Sequence, residues 1–225
     1  MDSEKTREPK YQEQIILRNT KGLTSLGMTT NVVWHEDPRR LLFILARYKF
    51  VSKVVSGKQK VLEVGCGDAF GTRIVLQEVD SIRAIDVDPA FVKDVNNRME
   101  ERWHFDCEVH NILLKPVDDV FDAAYSLDVL EHISQIDEHR FMNNIAKSLE
   151  KDGILIVGMP SLQSQRYAKE SKYGGHINCK SSKQLKELML KYFHNVFIFS
   201  MNDEVVHTGF YPMAHYLFAV GVGKR

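Results

Sequence analysis

Between residues 60 and 160, short apolar runs alternate with segments of helical spacing, and few folds accept that order. KVLEVG, RAIDVD, CEVHN, VFDAAYSL and GILIVGMP read as strands. A segment from Gly71 to about Val79, PAFVKDVNNRMEE opened by Pro89, and a segment from about Ile136 to Leu149 read as the helices between them. GILIVGMP has no polar residue in its middle, as expected of a strand covered on both faces. Strands alternating with helices predict a parallel sheet in a layered α/β fold. Upstream, DPRRLLFILARYKFVSKVVSG reads as one amphipathic helix. Asp37 is its expected N-cap, Pro38 its first residue and Gly57 its stop, with Leu41, Leu42, Leu45, Tyr48 and Val55 at helical spacing.

The last third changes character. SSKQLKELMLKYF is a predicted helix with a capping box from Ser181 to Gln184. NVFIFSM and HYLFAVGVG follow with no helix between them, so the two should pair antiparallel. Residues 1–36 are polar and weakly periodic and read as a loosely docked N-terminal arm. Residues 37–225 read as one domain.

Composition narrows the function classes. At 44% hydrophobic and 27% charged residues, the chain is neither disordered nor collagen-like. A formal net charge of zero gives no basic footprint for nucleic acid. Cys66, Cys107 and Cys179 form no CxxC pair, so no zinc site or disulfide framework is indicated. MDSEKTREPK lacks the apolar run of a secretory signal, and no stretch approaches the ~18 apolar residues of a membrane span. The expected compartment is cytoplasmic, with no membrane insertion.

VLEVGCGDAFGT, residues 61–72, carries the chemistry. A strand runs into a loop with Gly65 and Gly67, which let a ligand approach the backbone closely. Asp86 closes the next strand about 20 residues on, the usual place for a carboxylate that accepts from ribose hydroxyls. Asp88 should face the opposite way along the strand. A dinucleotide would need glycine where Phe70 stands, and Glu63 would repel a pyrophosphate. The same acid suits the sulfonium and ammonium of S-adenosylmethionine.

On these residues the chain resembles the class I S-adenosylmethionine-dependent methyltransferases, small-molecule branch. Glu63, Gly65 and Gly67 match the first motif, with Ala69 at the frequent third glycine, and Asp86 matches the second. VFDAAYSLDVLEHI resembles the fourth-strand motif and GILIVGMPS the fifth strand. The resemblance implies a Rossmann-like three-layer sandwich with a mostly parallel seven-stranded sheet ending in an antiparallel hairpin. It implies S-adenosyl-L-methionine as cofactor and S-adenosyl-L-homocysteine as product. The expected cofactor contacts are Glu63, Gly65, Cys66 and Gly67 toward the methionine part, Asp86 on the ribose and Val87 on the adenine. Asn111 and Ile112 stand near the adenine amino group, and Ser126, Leu127 and Asp128 around the methyl donor.

Methyl transfer needs alignment and, for an oxygen or nitrogen acceptor, a base. His132 and His176 are the candidates, since both should reach the carboxyl ends of the strands. Trp34, His35 and Tyr173 are the expected substrate contacts, and Glu131 an orienting residue. No metal is required by this chemistry, and none is assigned. The expected acceptor is small and polar, with a sugar or glycan precursor first, by similarity to methyltransferases of surface-glycan pathways. A quinone or other small molecule, an NAD-dependent oxidoreductase and a non-catalytic binding module are the alternatives. The oligomeric state stays open.

Overall fold

The computed structural model describes residues 4–168 and 175–225. Its eight-stranded sheet has the order β3-β2-β1-β4-β5-β8-β6-β7. The parallel part comprises β1 (Lys60–Val64), β2 (Ser81–Asp86), β3 (Asp106–Val109), β4 (Phe121–Leu127) and β5 (Leu149–Pro160). β8 (Tyr216–Lys224) lies antiparallel between β5 and β6 (Phe193–Asn202). The strand order reverses between β2-β1 and β4, which opens a crevice at their carboxyl ends.

The sheet has one strand more than the sequence predicts. β7 (Val205–His207) pairs antiparallel with the end of β6. Asp203 makes the turn between them with φ 52°, a left-handed conformation that Asp tolerates better than most residues. So short a strand leaves no periodic signal.

Alternation along the strands sorts side chains to two faces. Leu62 and Val64 of β1 join one buried layer with Phe141, Met142 and Ile145 of α6 (Glu138–Lys147) and Leu185 and Met189 of α7 (Ser182–Met189). Val61 faces the other way. There Val51 of α3 (Arg39–Val54), Val75 of α4 (Thr72–Leu76) and Val95 of α5 (Pro89–Asn97) cover Tyr125 and Phe218. The three layers follow from this division. The predicted capping box is present: Ser181 Oγ accepts from Gln184 N–H while the Gln184 side chain accepts from Ser181 N–H. Asp88 caps α5 by accepting from Ala90 N–H at 2.8 Å. Asp37 does not cap α3; its carboxylate pairs with Arg39 at 3.0 Å.

The N-terminal arm is helical. α1 (Gln12–Lys21) buries none of its residues, whereas α2 (Met28–Glu36) buries Thr30 and Val33 against the domain. Among the described residues, no helix is long and apolar enough to cross a membrane.

Candidate functional site

β1 ends at Val64, and the chain turns through Gly65 (φ 76°) and Gly67 (φ 53°), both in the left-handed region that glycine occupies without strain. The loop hangs from the end of β2. Gly65 N–H donates to Ile85 O at 2.8 Å and Cys66 N–H to the same oxygen at 3.1 Å. Asp86 completes the attachment: its Oδ2 accepts from Gly67 N–H at 2.8 Å and its Oδ1 from Asp88 N–H at 2.9 Å. Each carboxylate oxygen keeps a lone pair for a ligand hydroxyl. A Cβ on Gly65 would overlap the Val129 side chain, so that position excludes larger residues on two grounds.

Beside this loop lies a largely apolar cavity of about 300 Å³. Gly65, Gly67, Asp86, Val87, Asn111 and Ile112, six of the residues expected on the cofactor, line it. Asn111 already engages one lone pair, since its Oδ1 accepts from Leu113 N–H at 2.9 Å. An apolar slot with one carboxylate at its rim and glycine backbone at its mouth suits the adenosine part of S-adenosylmethionine.

Two predicted cofactor contacts line neither this cavity nor the one beside it. Glu63 points to the α3 and α4 face because side chains alternate along β1. Its carboxylate accepts from Thr72 Oγ1 at 2.6 Å and from Tyr48 Oη at 3.1 Å. Burial pushes it up to about 7, against the opposing effect of these hydroxyls. Glu63 thus ties the helical layer to β1. Ser126 is also buried, and its Oγ donates to Val64 O at 2.9 Å, stitching β4 to β1.

A second, polar cavity of about 460 Å³ adjoins the first, and Gly65, Gly67, Asp128 and His132 line both. Cys66 and Leu127 belong to this second space. Its roof is helical: Thr30 and Val33 from α2, and Arg40, Phe43 and Arg47 from α3. Its floor is the turn Leu130–His132 and the loop that carries His176. Ile177 N–H and Asn178 N–H both donate to Glu131 O, at 2.8 and 3.0 Å, and this ties loop to turn. The His132 and His176 rings consequently stand 5.2 Å apart, edge to face.

Charge is concentrated here. Asp128 adopts φ 56° and pairs with Arg47 at 2.6 Å. The Arg47 guanidinium also stacks over the Tyr216 ring, 4.0 Å from its centre. Glu131 is 1% exposed, and its Oε2 has no hydrogen-bond partner among the described residues. Burial and then the Asp128 charge push the Glu131 carboxyl up to about 8, with Arg47 opposing. Burial and the neighbouring His132 hold His176 below its ordinary value, with Asp128 opposing.

The substrate contacts predicted on the arm are displaced by one helix face. α2 does fold over the site, but it presents Thr29, Thr30 and Val33, leaving Trp34 half exposed and His35 exposed, outside both cavities. Tyr173 lies outside the described residues. Arg40, Phe43 and Arg47 are unpredicted. Their signal was present as the stripe 40, 43, 44, 47, 48 on α3, one helical face, half masked by the apolar residues on its other sides.

Comparison with known proteins agrees with this geometry. Residues 62–157 match the family described as "Methyltransferase domain". The chain is 28% identical over 102 residues to a Mycobacterium tuberculosis protein named "Probable S-adenosylmethionine-dependent methyltransferase". That match covers 45% of this chain and 35% of the relative, so the chain aligns with about a third of the length of that protein. The methyltransferase domain of a bacterial Hen1, CtHen1-C, superposes with a TM-score of 0.66 at 16% identity, over 81% of this chain and 98% of that one. The N-methyltransferase NodS of Bradyrhizobium japonicum, solved with S-adenosyl-l-homocysteine, gives 0.61 at 18% identity, over 84% and 90%. Residues 62–157 therefore match a methyltransferase domain, and the chain around them shares the fold of the solved methyltransferases.

Proposed function

We propose that the chain transfers a methyl group from S-adenosylmethionine to a hydroxyl or amino group of a small polar acceptor. The observation that carries this reading is the confluence of an apolar cavity and a polar one at Gly65, Gly67, Asp128 and His132. In this reading Asp86 holds the ribose hydroxyls, Val87 and Ile112 enclose the adenine, and the Gly65–Gly67 backbone faces the methionine part. The bound cofactor supplies a methyl carbon already activated by its sulfonium. The protein's task is alignment: Arg47, Asp128 and the α2 roof confine the acceptor and exclude water. His132 and His176 stand at the acceptor end, where a proton leaves.

The polar cavity carries Arg40, Arg47, Asp128 and Glu131, which favours a hydroxyl-rich acceptor over a quinone, whose ring asks for apolar walls. A sugar or glycan precursor is the class we favour. NodS is named an N-methyltransferase, and an amino acceptor stays within the reading. The test is label transfer from methyl-labelled S-adenosylmethionine into extract of the source cells, fractionated by class. Label in the polar or saccharide fraction is the expected result. Label in lipid would move the acceptor to a quinone-like molecule. No transfer, with S-adenosylhomocysteine still bound, would leave a non-catalytic module.

A further inference from the structure

We propose that Glu131, His132 and His176 form a site for one divalent transition-metal ion at the acceptor end of the polar cavity. One carboxylate oxygen of Glu131 and one ring nitrogen from each histidine lie within 4.8 Å of one another. The three come from two separate parts of the chain, and the hydrogen bonds from Ile177 and Asn178 to Glu131 O fix them together. Two imidazoles with one carboxylate are a donor set for borderline first-row ions. Ligands about 2.1 Å from a shared ion stand at most about 4.2 Å apart. Three ligands spread evenly around one ion stand about 3.6 Å apart or less, so binding requires the groups to close to that spacing, a movement within reach of two exposed histidine rings.

A second observation points to a cation independently. Glu131 is 1% exposed, it lines the cavity, and its Oε2 has no partner among the described residues. A carboxyl group this buried is ordinarily protonated, ion-paired, hydrogen-bonded or on a metal. The cations near it serve other acids: Arg47 Nη1 pairs with Asp128 at 2.6 Å, and Lys180 Nζ with Glu138 at 2.5 Å. His176 is oriented for ligation. Its Nδ1 lies 2.8 Å from Gln165 Oε1, an oxygen that only accepts, so Nδ1 carries the hydrogen and Nε2 offers its lone pair.

Three protein ligands leave open coordination positions. The ion's use in catalysis rests on the methyl-transfer reading; its binding does not. An acceptor hydroxyl drawn to the ion loses its proton more readily, and the two histidines then act through the ion rather than as bases. The proton goes to solvent, the C–S bond breaks as the C–O bond forms, and S-adenosylhomocysteine leaves as a neutral thioether.

The test is a titration of the full chain, stripped with chelator, using Co²⁺ as the probe and following its visible absorption and heat of binding, with Zn²⁺ in competition. We expect one equivalent per chain. Glu131→Gln and His176→Asn should each weaken binding at least tenfold while leaving the thermal midpoint and S-adenosylhomocysteine affinity of the metal-free protein unchanged. His176 is exposed, so its variant keeps the test valid should Glu131→Gln fail to fold. Undiminished binding by Glu131→Gln would mean that the two histidines alone gather the ion, and would overturn the site. So would the absence of stoichiometric binding by the unsubstituted protein. Failure of Co²⁺ binding with S-adenosylhomocysteine still bound breaks this inference alone; the reverse pattern breaks the methyl-transfer reading alone.

Discussion

Asp86 has two duties on one side chain. It shapes the glycine loop through Gly67 N–H and Asp88 N–H, and in the proposed reading its remaining lone pairs accept from a ribose. Asp86→Ala should weaken S-adenosylhomocysteine binding by about 1–3 kcal/mol, the value of a charged hydrogen bond. Calorimetry on variant and parent checks it, and unchanged affinity would remove Asp86 from the ribose. Glu63 gives a second residue-scale prediction, of pH dependence. Burial raises it from 4.5 to about 7. The folded state therefore holds this proton more tightly than the unfolded state does. The group's contribution is fully present below pH 4.5 and is lost as pH rises through about 7. Each tenfold difference in proton affinity is worth about 1.4 kcal/mol, so the loss is on the order of 3 kcal/mol. Glu63→Gln does not titrate. Its stability relative to the parent, from urea unfolding, should improve by that amount between about pH 4.5 and pH 8. A difference that stays constant across the range would contradict the burial account.

At the scale of elements, the decisive contact is between α2 and the glycine loop. Gly27 precedes α2 and has no side chain to cap it. Asp68 supplies the cap from the loop, its Oδ2 accepting from Thr30 N–H at 2.6 Å. A Cβ on Gly27 would overlap the Asp68 side chain, so that side chain packs directly on the backbone at the start of α2. Asp68→Ala should cost about 0.5–2 kcal/mol, as for a lost helix cap. Hydrogen exchange should quicken across 28–36 and leave α6 unchanged; uniform protection in α2 would show that its apolar contacts suffice without the cap. This docking was not legible in the sequence. The cap comes from 38 residues away, and α2 buries only two residues, too few to mark a face. The strands and helices between 60 and 160 were legible because burial on two faces imposes periods that composition displays. β7 was not, because three residues display no period. Phe210 and Tyr211 lie between β7 and β8. They line neither cavity, and Tyr211 Oη instead donates to Ile198 O at 3.3 Å.

Across the whole molecule, the site sits where the strand order reverses, at the carboxyl ends of β1, β2 and β4. Its two halves were unequally legible, and the reason is distance along the chain. The apolar half is built from contiguous stretches: Gly65 and Gly67 after β1, Asp86 at the end of β2 with Val87 beyond it, and Asn111 and Ile112 after β3. Each declares itself by its place after a strand. The polar half is assembled from α2, α3, a turn and a loop, and no spacing announces that Arg47 meets Asp128, 81 residues on. The polar half is also where Glu131, whose Oε2 has no partner among the described residues, and the two histidines converge, which no motif of the apolar half requires. Gly65→Ala tests the junction between the halves. The Val129 side chain stands where the new Cβ would be, and φ 76° disfavours any side chain. S-adenosylhomocysteine affinity should fall at least tenfold, and Val129→Ala in the same chain should restore only part of it, because the backbone strain persists. Full restoration would show that crowding alone was at fault. The central claim, that the glycine loop and Asp86 hold S-adenosylmethionine, is tested most directly by calorimetric titration of the purified chain with S-adenosylhomocysteine, with NADH as the control. One saturable site for S-adenosylhomocysteine and none for NADH is the predicted result. No heat from S-adenosylhomocysteine, or NADH bound in its place, would contradict it.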